Sequence, residues 1–230
     1  LLLIQVGGLG IVTVVSIGIM LVADRIGLSH TRVLAADLHT DGYGSVSKLV
    51  RNIVLTTLAF EALFAVVLSA RYFISYDYGF SKAAIHGVFH SISAWNNAGF
   101  ALYTDSFIGF SNDWFFSIAV CLAVVLGGIG FPVLRTFAIH KLKWRMWPMH
   151  SKLMVSATAA LLVLGTILFL LFEWSNPRTL GALPETARLH SAFFHSVQTR
   201  TAGFNSVDVA ALNEESLLVS TILMFIGGGS

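Results

Sequence analysis

The chain has 230 residues, of which 56% are hydrophobic and only 11% are charged. A soluble domain is about 25% charged, so this composition excludes an ordinary soluble protein and indicates a membrane protein. The formal net charge of +2 says little about partners. The single cysteine, Cys121, excludes a disulfide framework and a thiolate metal cluster, and its apolar neighbours favour a packing role.

Five apolar segments follow one another along the chain. They cover residues 1–23, 53–74, 114–139 and 153–172, and the last begins near Ser216. The four complete segments are about 20–26 residues long, which is enough for a helix to cross ~30 Å of hydrocarbon. They lack the alternation of membrane β-strands, so the sequence predicts an all-α membrane protein. Because the chain starts and stops inside apolar segments, we expect it to be the middle of a longer protein.

Basic residues predict which side faces the cytoplasm. The connection 135–152 has five Lys or Arg residues and no acidic residue, and the connection 24–51 has four basic and three acidic residues. Both are therefore placed on the cytoplasmic side. A short surface helix is predicted near residues 31–38. Within the more basic connection an interfacial anchor is predicted, formed by Arg135, Lys141, Lys143, Trp144, Arg145 and Trp147.

Two short stretches share a pattern. Each opens with Phe-His-Ser and closes with Ala-Gly-Phe; Phe89 and Phe194, which open them, are 105 residues apart. We interpret this as an internal repeat. The preceding segments, 83–95 and 187–199, are apolar but too short to cross a membrane, which predicts two re-entrant half-helices, each followed by a Gly-containing loop. The C-terminal ends of such half-helices carry partial negative charge that favours a cation.

Glycine pairs recur in the first, third and fifth apolar segments. They lie at residues 7–8, 127–128 and 227–228. For Gly7 and Gly127 we favour close helix packing as their role. The spacing between loop and pair predicts further filter-like loops upstream and downstream. Pro132 is predicted to kink the third apolar helix.

The loops Asn96-Asn97-Ala98-Gly99-Phe100 and Arg200-Thr201-Ala202-Gly203-Phe204, together with the Gly-Gly helices, resemble the Trk/Ktr/HKT superfamily of potassium transporters. The Ktr-type membrane subunit is the best match. The resemblance implies repeated helix–pore-helix–helix (M1-P-M2) units around a central pore, as in potassium channels. It implies the last helix of one repeat plus a cytoplasmic linker in 1–50, a complete repeat in 51–147, and a repeat truncated in its last helix in 148–230.

The resemblance also implies potassium uptake across the cytoplasmic membrane through a filter of backbone carbonyls. Glycine fits such a filter because successive carbonyls must point at one axis. The side chain of Arg200 should point away from that axis, since its charge would repel a cation. The implied carbonyl ligands belong to Asn96, Asn97, Ala98, Gly99, Arg200, Thr201, Ala202 and Gly203, and the implied gate is Gly227, Gly228, Gly229 and Ser230.

Cofactors and partners follow from the same resemblance. It implies no covalent cofactor, with potassium as the transported ion and sodium as a candidate coupling ion. It implies a homodimer, a cytoplasmic ring of nucleotide-binding (RCK-type) regulatory subunits and contact with membrane lipid, with no nucleic acid. The chain contains no Walker-type phosphate loop, so ATP hydrolysis is not expected within it.

Several alternatives stay open at this point. His86 and His90 have the spacing of a helical metal pair, but a third ligand is missing and packing or hydrogen bonding is favoured. Glu61 lies near mid-membrane, where a carboxylate is expected to be functional; support behind the filter is favoured over direct ion contact. A sodium or sodium/potassium transporter, a membrane enzyme and a structural subunit are weighed as well. No catalytic motif favours the enzyme, and a structural role leaves the repeat unexplained.

Overall fold

The computed structural model describes residues 1–8, 44–200 and 202–228. Within these ranges the chain forms α-helices and short 3-10 turns without a β-strand, which confirms the all-α class. Residues 2–8 are helical. The further helices are α1 (Gly44–Ser75), α2 (Phe80–Trp95), α3 (Trp114–Gly128), α4 (Phe131–His140), α5 (Met149–Glu173), α6 (Glu185–Gln198) and α7 (Glu214–Ile226). Most of the first apolar segment, the surface helix near 31–38, Thr201, Gly229 and Ser230 lie outside the described residues.

The chain divides into two compact units, residues 1–59 and residues 60–230. The first unit contains the helical residues 2–8 and the beginning of α1. The second contains the rest of α1, the remaining helices and both repeated stretches. Everything that bears on the candidate site therefore lies within the second unit.

Two of the described helices are long and apolar enough to cross a membrane. They are the Val50–Ser75 part of α1 and the whole of α5, and the bent pair α3–α4 adds a third if it is counted as one span. These helices confirm the predicted apolar helices at 53–74 and 153–172. Helix α7 begins two residues before the predicted start at Ser216 and has 13 residues.

The third apolar segment is not one kinked helix, as predicted, but two helices that meet at 99°. Helix α3 ends at Gly128, and Gly130 adopts a φ of +82° at the position before α4. Pro132 lies in the first turn of α4, where its missing N–H costs no hydrogen bond. The bend therefore comes from the glycines, and the proline starts the second helix.

The two predicted half-helices are present. Helix α2 has 16 residues and follows Gly79, and helix α6 has 14 residues and follows Pro184. Helix α2 packs against α3, α6 packs against α5, and α3 also contacts α6. The contact between α3 and α6 brings the two repeated units together in one core, so their loops end up side by side.

A polar contact ties the end of the long helix to the residue that precedes α3 in the first repeat and α7 in the second. In the first, Arg71 Nε donates to Asp113 at 2.8 Å, and Asp113 caps α3 by accepting from the backbone N–H groups of Phe115 and Phe116. In the second, Glu173 accepts from the backbone N–H of Asn213 at 2.8 Å, and Asn213 precedes α7. Both repeats have such a contact, although the charged residue of the long helix is basic in the first, Arg71, and acidic in the second, Glu173.

The basic connection after α4 is partly packed. Trp147 is buried, and its indole N–H donates to the carbonyl of Lys141 at 3.0 Å. Trp144 is 46% exposed and lies against Trp147 at a ring distance of 5.1 Å. Of the two predicted anchor tryptophans, Trp144 is therefore open to the surroundings while Trp147 holds the turn.

Candidate functional site

The two Gly-containing loops meet at Gly99 and Gly203. Both glycines have positive φ, +71° and +77°, a conformation that disfavours any residue with a side chain. A Cβ placed on Gly99 would lie 2.5 Å from the carbonyl oxygen of Ala202, which is closer than packed atoms allow. The Ala202 carbonyl therefore stands directly against Gly99, and backbone groups of both loops share one small region at the ends of α2 and α6.

The segments that follow the loops are clamped to each other. The N–H of Phe107 donates to the carbonyl of Asn205 at 2.9 Å, and the N–H of Asn205 donates to the Ser106 hydroxyl at 3.0 Å. The rings of Phe107 and Phe204 stack at 4.7 Å, and both are about fully buried. These contacts fix the register of one loop against the other, because Phe204 directly follows Gly203.

The first loop is held from within by Ser93 on α2. Its hydroxyl donates to the carbonyl of Phe100 at 2.7 Å and accepts from the N–H of the same residue at 3.0 Å. The Ser93 carbonyl accepts from the N–H of Ala98 at 2.8 Å. Asn97 has a positive φ of +51°. The loop is thus a tight reversal whose internal hydrogen bonds are satisfied by the last turn of α2.

The second loop uses a different residue for the same purpose. The carbonyl of Gln198, the last residue of α6, accepts from the N–H groups of Ala202 and Gly203 at 3.1 and 3.2 Å. Thr201 lies outside the described residues. Both loops therefore fold back onto the end of their half-helix, and in the first loop the side chain of Ser93 contributes as well.

Glu61 lies behind the first loop. Its carboxylate accepts from the side-chain amide of Asn96 at 2.8 Å, and its backbone carbonyl accepts from the Ser91 hydroxyl at 2.6 Å. Glu61 is 5% exposed. This is the geometry that a supporting role requires, since the carboxylate reaches the loop through the amide of Asn96.

The histidines of the repeat hold the half-helices. His90 Nε2 accepts from the N–H of Leu102 at 3.1 Å, so its Nδ1 carries the proton toward the Tyr72 hydroxyl at 2.9 Å. His86 contacts the Tyr103 hydroxyl at 2.8 Å. His195 instead packs edge-on to Phe169 at 4.4 Å. Among the described residues no group of three metal-ligating side chains occurs.

The predicted gate begins at the end of α7. Gly227 is the C-cap of this helix with a φ of +68°, so the helix breaks where the glycines start. Its carbonyl accepts from Arg200 Nε at 3.2 Å. Gly228 is described and lines a cavity next to Arg200, whereas Gly229 and Ser230 lie outside the described residues.

Comparison with known proteins matches the family of cation transport proteins named TrkH over residues 1–230. The chain belongs to this family. It is 37% identical to the Ktr system potassium uptake protein B of Vibrio alginolyticus and 35% identical to that of Bacillus subtilis, over 99% of this chain in both cases. It is 34% identical to the potassium/sodium uptake protein NtpJ of Enterococcus hirae, again over 99% of this chain.

The chain spans about half the length of these relatives, 50%, 51% and 50% respectively. The resemblance to the Trk/Ktr superfamily is thereby confirmed. Membership of a cation transport family, together with helices able to cross a membrane, makes this a multi-pass cell-membrane protein, as the composition predicted. The relatives are named as transport proteins rather than enzymes.

Some residues around the site carry no signal in the sequence. No sequence pattern points to Ser93, Tyr72 or Phe107, yet each of them fixes a loop or a half-helix through the contacts described above. Ser93 is not shared by the second repeat, where Gln198 stands at the end of the half-helix. A comparison of the two repeats therefore misses it, because it highlights only what they have in common.

Proposed function

We propose that the chain forms part of the ion-translocating membrane subunit of a Ktr/Trk-type potassium uptake system. The observation that carries the proposal is the meeting of two glycine loops at the ends of two half-helices, with the Ala202 carbonyl against Gly99. Backbone carbonyls replace the hydration shell of potassium in filters of this kind. The proposed ligands are the carbonyls of Asn96, Asn97, Ala98, Gly99, Arg200, Thr201, Ala202 and Gly203.

The proposed repeat boundaries are those that the sequence predicts. Residues 51–147 make one helix–pore-helix–helix unit and residues 148–230 the greater part of another, with 1–50 preceding them. Gly227, Gly228, Gly229 and Ser230 begin a loop that gates the pore, and Glu61 supports the first filter loop. The break of α7 at Gly227 supports the gate, because consecutive glycines disfavour helix.

The partners are part of the proposal too. The relatives named as Ktr system proteins support a system with further components. We propose a homodimer that lies in membrane lipid and binds a cytoplasmic ring of nucleotide-binding, RCK-type subunits. Potassium is the transported ion and sodium the coupling ion.

A sodium or sodium/potassium transporter of the same superfamily is the second candidate. It is favoured by one observation, the 34% identity to a relative named a potassium/sodium uptake protein. The two candidates differ in the ion selectivity of uptake. Measuring potassium and sodium uptake by the same cells distinguishes them.

Growth of a bacterium that lacks its own potassium uptake systems tests the function. We expect the complete gene product to restore growth at low potassium, with uptake of potassium exceeding that of sodium. The control is the same strain with the empty vector. Uptake of sodium alone, or of both ions without a preference for potassium, would favour the second candidate, and uptake of neither ion would contradict both.

Replacing the filter glycines tests the site. Gly99→Ser and Gly203→Ser should both reduce discrimination against sodium, since each places a side chain at positive φ. Gly99→Ser should have the larger effect, because a Cβ there meets the Ala202 carbonyl at 2.5 Å, whereas at Gly203 the nearest atom is 3.6 Å away. The control is Gly109→Ser, whose nearest neighbour is 3.8 Å away. Unchanged potassium/sodium selectivity in both filter variants would show that the filter assignment is wrong.

A further inference from the structure

The second glycine loop is held, just past Gly203, by residues of the first repeated unit. Both backbone groups of Asn205 are engaged: its N–H donates to the Ser106 hydroxyl at 3.0 Å, and its carbonyl accepts from the N–H of Phe107 at 2.9 Å. Because Ser106 and Phe107 are consecutive, the two hydrogen bonds close one ring and restrain both the position and the orientation of the Asn205 backbone. The exit of the second loop therefore depends on a segment 99 residues earlier in the chain.

Phe107 makes this attachment point rigid. Its side chain is 1% exposed. It packs edge-on against His90 of α2 at a ring-centroid distance of 5.0 Å and against Phe116 of α3 at 4.9 Å, and it stacks on Phe204 at 4.7 Å. Close-packed aromatic rings leave little freedom to shift. The backbone of Asn205 is thus held against the core of the first unit.

Ser106 adopts a backbone conformation that serine rarely takes. Its φ is +57°, in the left-handed region where glycine, asparagine and aspartate are the usual residues. Its N–H donates to the carbonyl of Tyr103 at 3.3 Å, which closes a tight turn. Such a conformation persists only where surrounding contacts require it, and it is common at functional sites. The hydroxyl that this turn presents is the group that binds Asn205 of the second unit.

The two loops obtain the same kind of support from different places. In the first loop, the Ser93 hydroxyl on its own half-helix binds both backbone groups of Phe100, directly after Gly99. The corresponding residue of α6 is Gln198, 105 residues later, and its buried side-chain amide makes no hydrogen bond to any described residue. A serine hydroxyl of the neighbouring unit, that of Ser106, supports the second loop instead.

We propose that Ser106 is a positioning residue for ion selectivity, which acts from the first repeated unit on the carbonyls of the second glycine loop. The inference rests on the proposed transport function. Asn205 follows closely after Ala202, whose carbonyl stands against Gly99, so a shift of the clamp passes along a short stretch of chain to the place where the loops meet. A carbonyl filter discriminates between ions through the placement and number of its oxygens. In this arrangement the hydroxyl sets the position of the loop, and the carbonyls select the ion.

Two substitutions of Ser106 separate its hydroxyl from its backbone conformation. Ser106→Gly removes the hydroxyl and accepts the φ of +57° freely, whereas Ser106→Thr keeps the hydroxyl although a β-branched residue disfavours that φ. In the complete gene product, Ser106→Gly should lower the ratio of potassium to sodium uptake about fivefold, because a hydrogen bond between neutral groups shifts an equilibrium by about that factor. Ser106→Thr should keep the ratio within about twofold of the unaltered protein, since its hydroxyl still accepts a hydrogen bond.

Two matched controls use the same region of the molecule. Thr104→Gly adds the same backbone freedom two residues earlier, at an exposed side chain, and should leave the ratio unchanged. Asn205→Ala keeps both backbone groups of the clamp and should leave the ratio unchanged as well. A purely structural role of Ser106 would lower the melting temperature and the amount of membrane-inserted protein, but not the ratio per inserted molecule. Where Ser106→Gly does not accumulate, Ser106→Ala removes the same hydroxyl and is measured in its place.

The outcomes distinguish this role from the proposed function. If the unaltered protein prefers potassium and Ser106→Gly prefers it equally, the role of Ser106 is overturned and the function stands. A ratio lowered equally in Ser106→Gly and Ser106→Thr would assign the effect to the backbone conformation and overturn the role of the hydroxyl. A complete gene product that transports neither ion would contradict the proposed function, and this inference with it.

Discussion

At the scale of single residues, side chains of the two glycine loops make contacts outside the loops. The side chain of Asn96 reaches Glu61, and that of Arg200 reaches Gly227. Both point to neighbouring helices and away from the place where Gly99 meets the Ala202 carbonyl. Under the proposed function the loop carbonyls select the ion and the side chains hold the loops, so substitutions of these side chains should change support more than ion contact.

Glu61 provides a test of support against ion contact. Glu61→Gln keeps an oxygen that accepts from Asn96, so we expect uptake rate and half-saturating potassium concentration within about twofold of the unaltered protein. Glu61→Ala removes the acceptor of the half-buried Asn96 amide, which keeps its hydrogen bond to the Ile92 carbonyl at 2.9 Å, and should lower the stability of the fold by about 1 kcal/mol. Uptake assays and thermal melting of the purified protein measure both effects.

A strong effect of Glu61→Gln on potassium uptake would count against the supporting role. If the carboxylate coordinated the ion, Glu61→Gln would remove a charge and raise the half-saturating concentration even with full stability. An increase of tenfold or so in that concentration, equal to ~1.4 kcal/mol of binding, would assign the ion contact to Glu61.

At the scale of helices, polar groups and glycines near the helix ends determine how the elements meet. Asp113 joins α1 to α3 through Arg71, and Tyr76 donates to the same carboxylate at 2.9 Å. Gly127 brings α3 against the end of α2, where a Cβ would lie on the Trp95 carbonyl. The close packing favoured for Gly127 from sequence fits this approach.

The Asp113 carboxylate predicts a pH dependence of stability. Burial raises its pKa, but hydrogen bonds from Arg71, from the Phe116 N–H and from Tyr76 outweigh burial and hold the pKa below its usual value. A carboxyl with a lowered folded pKa stabilises the fold at neutral pH, and that contribution is lost as pH falls through its folded pKa. Acidification below about pH 4 should therefore lower the melting temperature.

Asp113→Asn is the matched variant for this dependence. Asparagine still caps a helix, but it neither titrates nor pairs with the charge of Arg71. We expect a lower melting temperature than the unaltered protein at neutral pH and a smaller further decrease on acidification. If acidification lowered the melting temperature of both proteins equally, Asp113 would not be the source of the pH dependence.

Gly127→Ala tests the approach of α3 to α2. An alanine Cβ would overlap the Trp95 carbonyl oxygen, which forces the helix away from the end of the half-helix. We expect destabilisation of about 1–3 kcal/mol or more, measured by thermal melting. Gly109→Ala is the control, since the nearest atom to its Cβ is 3.8 Å away and its stability should change little.

At the scale of the whole molecule, the 99° bend leaves two possible courses for the chain. As one broken span, α3 and α4 carry the basic connection to the side opposite the filter loops. As a re-entrant pair, they return it to the same side. The excess of basic residues in 135–152 favours a cytoplasmic position, so we expect the broken span.

Thiol labelling in intact cells tests this course. Asp105 and Lys143 are both exposed, and Cys121 is 2% exposed and should not react. In the complete gene product, with other cysteines replaced by serine, a membrane-impermeant thiol reagent should label Asp105→Cys from outside. It should label Lys143→Cys only after the membrane is made permeable. Labelling of both in intact cells would indicate the re-entrant pair.

The sequence by itself determined the membrane class, the two short helices and the glycine positions of the loops that follow them. These follow from local properties: apolar length sets what can cross a membrane, and a loop that needs positive φ at Gly99 and Gly203 selects glycine in both repeats. The repeat reveals these glycines in the sequence, because the same local constraint applies in both loops. A comparison of the repeats does not reveal supporting residues that differ between them, such as Ser93 and Gln198.

Only the tertiary structure decided where the side chains go and where the third apolar segment bends. Arg200 and Gly227 are 27 residues apart, and Tyr72 and His90 are 18 apart, so their pairing depends on how separate helices are placed. Pro132 was expected to kink a single helix, yet Gly130 takes the positive φ and the proline fits the first turn of the next helix. A pattern of residues fixes the length and conformation of each segment, whereas the direction it takes and the partners it meets depend on packing across the whole core.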